Sequence, residues 1–271
     1  MHQILFTIGS FPVRAYGVVV LFAIFLGAQV TITLARLTAK RFEEHIVPLV
    51  YWCLGGAILG ARIWQVFFFT PVYYAAHPLQ AFAIWGGGLS IQGGIIGGLL
   101  VGIVYCRVKR VPFWEFADLL AAPIVLGQGI GRIACLLNGD AFGSPTGGNF
   151  GLVYPPGTDA YATYGSKPLW PAEVWEGQMD VVIFAILFSL SRRKLPRGYQ
   201  FLLYNILYSA GRFGLEMLRG DSPRFLFHWT AAQWTSVVVI LPAIGFMIWF
   251  AVRSRGARMK QTAMSNVDRS A

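Results

Sequence analysis

Long apolar runs separated by short polar stretches dominate the chain. Seven runs are almost wholly apolar, at 15–35, 47–69, 91–106, 118–137, 179–191, 200–218 and 234–252. About 20 helical residues cross the hydrocarbon of a bilayer, so each run predicts a membrane-spanning helix. The third and fifth runs are short and are expected to extend into semi-polar sequence beside them. Two intervening stretches are longer than the rest, 70–90 and 138–178. The first then runs into IWGGGLSIQGGIIGG, whose glycines permit close backbone approach at membrane depth. The second is rich in Gly, Pro and Tyr, has no helical period and contains short strand-like pieces, which predicts a small cap.

Composition strengthens this reading. Of 271 residues, 56% are hydrophobic and only 13% charged, and the mean hydropathy is +0.57. Soluble domains carry roughly 25% charge, so the expected fold is an all-α polytopic membrane protein. The net charge of +10 suggests nucleic acid only if basic residues gather on one face or stripe. Here they cluster between apolar runs, which excludes that class and reports topology instead. The stretches 36–46, 107–117, 192–199 and the tail after 252 hold fifteen Lys and Arg, whereas the alternate set holds Arg14, Lys167, Arg219 and Arg224. The positive-inside rule then puts the N-terminus outside and the C-terminus in the cytoplasm, with seven crossings. It also puts 70–90 and 138–178 on the outer face.

The predicted organisation is one transmembrane domain over 1–255, capped outside by 138–178, with a disordered cytoplasmic tail at 256–271. MHQILFTIGSFPVRAYGVVV lacks the basic start and small-residue cleavage site of a signal peptide, and is expected to stay attached at the outer interface. Cys53, Cys106 and Cys135 have neither disulfide nor zinc spacing. No repeat of transporter type is visible.

Three basic residues remain, Arg62, Arg132 and Arg212, each inside a different apolar run. A charge near the bilayer centre costs at least ~2.5 to 3.5 kcal/mol, so each needs a partner. Arg212 has Glu216 four residues on, which shares its helical face and predicts a pair. Span two holds no acid near Arg62, and the acid nearest Arg132 in its own region is Asp140. That count leaves at least one arginine to find an anion elsewhere, and a lipid phosphate suits the planar fork of a guanidinium. The competing reading of Arg132 is structural, paired with a carboxylate or with carbonyls of a broken helix.

Other candidates have plain alternatives. Asn138, Gly139 and Asp140 read as a helix end capped by Gly. GQGIG has the wrong spacing for a dinucleotide loop, and no strand precedes it. Tyr16 and Tyr208 fall where an interfacial aromatic belt would place them. His77 and His228 are isolated, and neither a Ser/His/Asp order nor HExxH occurs, so no metal or cofactor is expected.

GIGRIACLLNGDAFG resembles the signature of the bacterial prolipoprotein diacylglyceryl transferases, G-x-R-I-[GA]-x-F-x-N-G-E-x-x-G. It matches at Gly131, Arg132, Ile133, Asn138, Gly139 and Gly143, with Asp140 for the usual Glu. VRAYG at 13–17, GARIW at 60–64, GGLSIQGG at 87–94, WPAEVWE at 170–176 and YSAGRFGLEMLRGD at 208–221 are similar to further family motifs. The chain departs from the family at Gln92, where a histidine is usual, at Cys135, where an asparagine is usual, and at Trp170 and Glu173.

The resemblance implies an inner-membrane, multi-pass enzyme. It would move the sn-1,2-diacylglyceryl group of phosphatidylglycerol to the lipobox cysteine of prolipoprotein signal peptides, releasing glycerol phosphate without a cofactor. It implies that Arg132 holds the lipid phosphate and that Arg212 and Tyr208 line the reaction centre, with Gln92 at the histidine position. Glu176, Glu216 and Arg219 would support them, and Tyr16, Asn138 and Gly143 are motif positions. Two other readings stay open. Gln92 is consistent with a weakened homologue that binds anionic lipid or lipoprotein precursors without turnover, and a lipid or anion transporter would show flux across liposomes.

Overall fold

The computed structural model describes every residue except 2, 10, 84–86, 194 and 271; the side chains at 8, 11 and 253–271 also lie outside the described set. The chain opens with a two-stranded antiparallel hairpin, β1 (Ile4–Ile8) and β2 (Phe11–Arg14). Helices follow: α1 (Ala15–Thr38), α2 (Glu43–Trp64), α3 (Pro71–Ala76), α4 (Ile91–Val108), α5 (Phe113–Asn138), α6 (Asp159–Tyr164), α7 (Ala172–Leu190), α8 (Tyr199–Leu215) and α9 (Ala231–Ser270). The tail expected to be disordered, 256–271, falls where side chains lie outside the described set.

Five segments are long and apolar enough to cross a membrane: Ala15–Thr38, Lys40–Phe69, Ile91–Val108, Phe113–Asn138 and Ala231–Val252. The runs at 179–191 and 200–218 are helical too, as α7 and α8, but do not qualify by length and composition. α7 carries Glu173, Glu176 and Asp180 in its first half, and α8 has 17 residues. Those three acids of α7 are all buried, as is Glu216 just past α8. The N-terminal hairpin modifies the all-α expectation. Gln3 fastens it, accepting from Ala15 N at 2.9 Å and donating through Nε2 to the Asn138 carbonyl at 2.8 Å.

The chain divides into two compact units, 35–116 and the combination of 1–34 with 117–271. In the first, α2 and α4 cross through paired glycines. A Cβ on Gly60 would stand 2.4 Å from the Gly93 carbonyl oxygen, and one on Gly97 would stand 2.3 Å from that of Gly56. Both helices therefore carry a Gly-x-x-x-Gly face, which lets backbones touch where lipid removes the hydrophobic drive for association. Arg62 is buried beside this crossing. Its guanidinium donates to the carbonyls of Ala81 at 2.8 Å, Gly87 at 2.7 Å, Gly88 at 2.8 Å and Ala83 at 3.2 Å, and also to Gln80. Gly87 and Gly88 have φ of +85° and +70°, a turn that brings both carbonyls onto the same Nη1. Tyr74 covers the cation with its ring 5.1 Å away.

In the second unit α7 packs on α5 at Gly129 and Gly177. A Cβ on Gly129 would lie 3.1 Å from Asp180 Cβ, and one on Gly177 would lie 3.3 Å from Arg132 Cβ. The cap has its own core of Phe142, Tyr154, Ala160 and Leu169. Its strand-like pieces form bridges, Pro145 and Leu152 each pairing with Leu169. α6 was not predicted, because its six residues are too few to show a period.

Candidate active site

The signature helix α5 ends as expected. Gly139 has φ +77°, and the amides of Gly139 and Asp140 both return to the Cys135 carbonyl, at 2.8 and 3.3 Å. This left-handed cap closes the helix. About two turns earlier, Arg132 leaves α5 toward α7 and meets Glu176, whose Oε1 accepts from Nη2 at 2.5 Å. The other Glu176 oxygen accepts from Arg212 Nη1 on α8, also at 2.5 Å. Glu176 is 1% exposed and so bridges two guanidiniums away from water.

Arg212 also pairs with Glu216, Nη2 to Oε2 at 2.8 Å, as their spacing predicted. Arg219 approaches from beyond α8. Its Nε and Nη2 grip Asp221 at 2.7 and 2.6 Å. Its Nη1 stands 3.9 Å from Glu176 Oε2 and is buried without a hydrogen-bond partner among the described residues. Three guanidiniums thus surround one carboxylate. The Tyr208 hydroxyl reaches Glu176 Oε1 at 3.4 Å.

This geometry revises the count of acids by span. Arg132 takes a carboxylate supplied by α7, and Arg62 takes no acid but five carbonyls. The reading that an arginine is left over for want of local acids does not hold, because a helix 44 residues away in sequence brings the missing one. The case for an anion rests instead on the donors that remain.

The motif positions gather around this cluster. Asn138 Nδ2 donates to Asp140 Oδ2 at 2.7 Å. Tyr16, at the start of α1, lies near enough to Cys135, Asp140 and Arg132 to interact with them electrostatically. Gly143 has a steric role, since a Cβ there would stand 2.1 Å from the Trp170 carbonyl oxygen. Its backbone bridges to Arg219, tying the end of the signature to the segment after α8. Gln92 belongs to the other compact unit, where its Oε1 accepts from Ser90 Oγ at 2.7 Å near the start of α4.

A groove of about 490 Å³ runs beside the cluster between α5 and α7. Ile133, Leu136, Val174, Val181 and Val182 line it, with Arg132 and Glu173 as its charged members. Glu173 is fully buried and accepts from the Tyr154 hydroxyl of the cap, which couples α7 to the cap core. Burial pushes the Tyr154 phenol up from its ordinary value, and the Glu173 carboxylate adds to the shift.

A cluster of arginine donors, with Arg132 lining an apolar groove, suits a lipid carrying an anionic headgroup. The family profile described as prolipoprotein diacylglyceryl transferase matches residues 3–249. The chain belongs to that family. Among its relatives, the phosphatidylglycerol–prolipoprotein diacylglyceryl transferase of Acaryochloris marina is 38% identical over 221 residues, 80% of each chain. The protein of the same name from Nostoc sp. is 36% identical over 93% of this chain and 90% of its own. That from Staphylococcus saprophyticus is 34% identical over 96% and 93%. As a member of this family, the chain is a membrane-embedded transferase. Sequence reasoning from the family motifs named Arg132, Glu176, Arg212, Glu216 and Arg219. It passed over Asp180, which lies in α7 one turn beyond Glu176. The only trace of it in sequence is an acid four residues after another inside an apolar run.

Proposed function

We propose that this chain transfers the sn-1,2-diacylglyceryl group of phosphatidylglycerol to the lipobox cysteine of prolipoproteins, with Arg132, Arg212 and Arg219 holding the lipid phosphate. One observation carries the assignment of residues: three guanidiniums converge on Glu176, Arg132 among them lining an apolar groove, and the buried Nη1 of Arg219 has no hydrogen-bond partner among the described residues. The acyl chains suit the groove, and the phosphate suits the donors.

In the reaction the acceptor sulfur attacks the glyceryl carbon that bears the phosphate ester. The carbon–oxygen bond breaks with its electron pair on the departing phosphate. Negative charge therefore grows where the arginines point, in a site screened from water, where oriented donors stabilise a transition state most strongly. Glu176 keeps the guanidiniums aimed before lipid arrives, so little reorganisation is needed.

The same reading takes α7 and α8 as spans, giving seven crossings with the N-terminus outside and the cap on the outer face of the bacterial inner membrane. The acids of α7, and Glu216 just past α8, are buried in protein, and Arg132 and Arg212 offset Glu176 and Glu216, so their presence does not prevent crossing. Cysteine labelling at positions 193 and 148 in intact spheroplasts tests this, with the first expected to be protected and the second to react. For the activity, Arg132→Ala in proteoliposomes with phosphatidylglycerol and a lipobox peptide is expected to lose transfer. Full transfer by that variant would sink the phosphate assignment. No observation favours the reading as a binder without turnover.

A further inference from the structure

Asp180 is fully buried, and neither of its carboxylate oxygens has a hydrogen-bond partner among the described residues. The neighbouring acids are engaged: Glu176 by Arg132 and Arg212, Glu216 by Arg212, and Asp221 by Arg219. A buried carboxyl without partners is costly, and such groups mark chemistry more often than packing.

Its position is set by three helices. α7 and α8 follow one another and pack together in opposite directions. Glu176 and Asp180 are one turn apart on α7, as are Tyr208 and Arg212 on α8, so pairing Glu176 with Arg212 brings Asp180 level with Tyr208. Gly129 of α5 closes the third side, leaving 3.1 Å between Asp180 Cβ and the place its own Cβ would take. The charged and titratable groups facing Asp180 are Arg132 from α5, Glu176 on its own helix, and Tyr204, Tyr208 and Arg212 from α8. Tyr204 is committed, donating to Gln128 Oε1 at 2.9 Å. Tyr208 donates to Glu176 at 3.4 Å, a bond longer than the ~2.7 to 2.8 Å usual for hydroxyl donors, so turning the hydroxyl to Asp180 gives up only a weak interaction.

We propose that Asp180 takes up the proton released by the acceptor thiol, receiving it through the hydroxyl of Tyr208. Asp180 is thus a positioning residue acting through Tyr208, and the inference rests on the arginine assignment above. The thiol proton passes to Tyr208 Oη as the proton of Tyr208 passes to an Asp180 oxygen. The sulfur electron pair forms the bond to the glyceryl carbon, and the phosphate leaves with the electrons of the broken carbon–oxygen bond. The proton then returns through Tyr208 to the released glycerol phosphate, which restores both groups. Gln92, at the family's histidine position, cannot fill this role, because a neutral amide has no usable basicity.

The test measures single-turnover transfer in proteoliposomes across pH for wild type, Asp180→Asn, Asp180→Glu and Tyr208→Phe. Asp180→Asn is expected to slow transfer about 100-fold, within the range for loss of a proton acceptor. It should leave the KM for phosphatidylglycerol within about twofold and abolish the fall in rate on the acid side of the profile. Asp180→Glu should restore that limb, and Tyr208→Phe should lose it. An Asp180→Asn rate within threefold of wild type overturns the proposal, as does a slow variant that keeps the wild-type profile, which is what a packing role predicts. If Asp180→Asn does not fold, a Tyr208→Phe profile that retains the acid limb overturns it equally. Should Arg132→Ala transfer normally, the phosphate assignment fails; should Arg132→Ala be inactive while Asp180→Asn is unaffected, only the present inference fails.

Discussion

Arg62 and Arg132 enter the chain in the same way, each a lone cation inside an apolar run, and the fold satisfies them by opposite means. Arg62 spends its donors on five carbonyls of the 80–88 segment, all neutral and all main chain. Arg132 shares a single carboxylate with Arg212 and borders a groove, its side chain 20% exposed. The first arrangement consumes the fork and fixes a loop. The second offsets the charge while leaving donors and space for an incoming anion. The cost of an intramembrane arginine is therefore no guide to its role; what matters is whether its partner is a saturating cage or a bridging counter-charge.

That contrast can be broken by substitution. Arg132→Ala should reduce transfer by about 10³-fold or more, since it removes a donor from the developing charge, while the purified protein keeps a melting temperature near that of wild type. Arg62→Ala should instead reduce the yield of folded protein, because five carbonyls of the 80–88 segment lose the donor that gathers them. If it folded normally yet lost transfer as fully, the distinction drawn here would be wrong. Arg132→Lys, which keeps the charge but not the fork, should lie between, with transfer down about 100-fold. Gly97→Val sharpens the structural side by driving a side chain into the Gly56 carbonyl; a loss of about 1 to 3 kcal/mol is expected in thermal unfolding. The smallest effect belongs to Tyr154→Phe. It leaves the buried Glu173 without its hydroxyl donor and should cost about 1 to 3 kcal/mol, with transfer at low temperature changed only a few-fold.

Much of the architecture was legible in the chain. The apolar runs foretold seven helices, and the glycine after Asn138 foretold where α5 stops. The hairpin at 4–14 was not legible, since its strands are short and the second runs directly into α1. Among the glycines of GQGIG, sequence could not single out Gly129, which alone meets α7 closely. Gly131 has open space beside it. The pairing of Arg212 with Glu216 was readable because four residues on a helix share a face. Glu176 was readable as a motif position, but its place between two arginines was not.

Sequence by itself determined the quantities that depend on local composition: which segments are apolar enough for lipid, which loops carry the basic charge, which helix faces bear neighbouring charges, and which family the motifs resemble. Bilayer thickness and helical pitch act on a segment without reference to its neighbours, so a linear pattern suffices to read them. Tertiary structure alone decided that Arg62 would be caged, that Glu176 would bridge residues 44 and 36 positions away, and that Asp180 would be enclosed without a hydrogen-bond partner among the described residues. Those outcomes depend on which faces of three helices come together. That is set by a few glycines at the crossings, where the absence of a Cβ lets one backbone approach another closely enough to bring distant charges together.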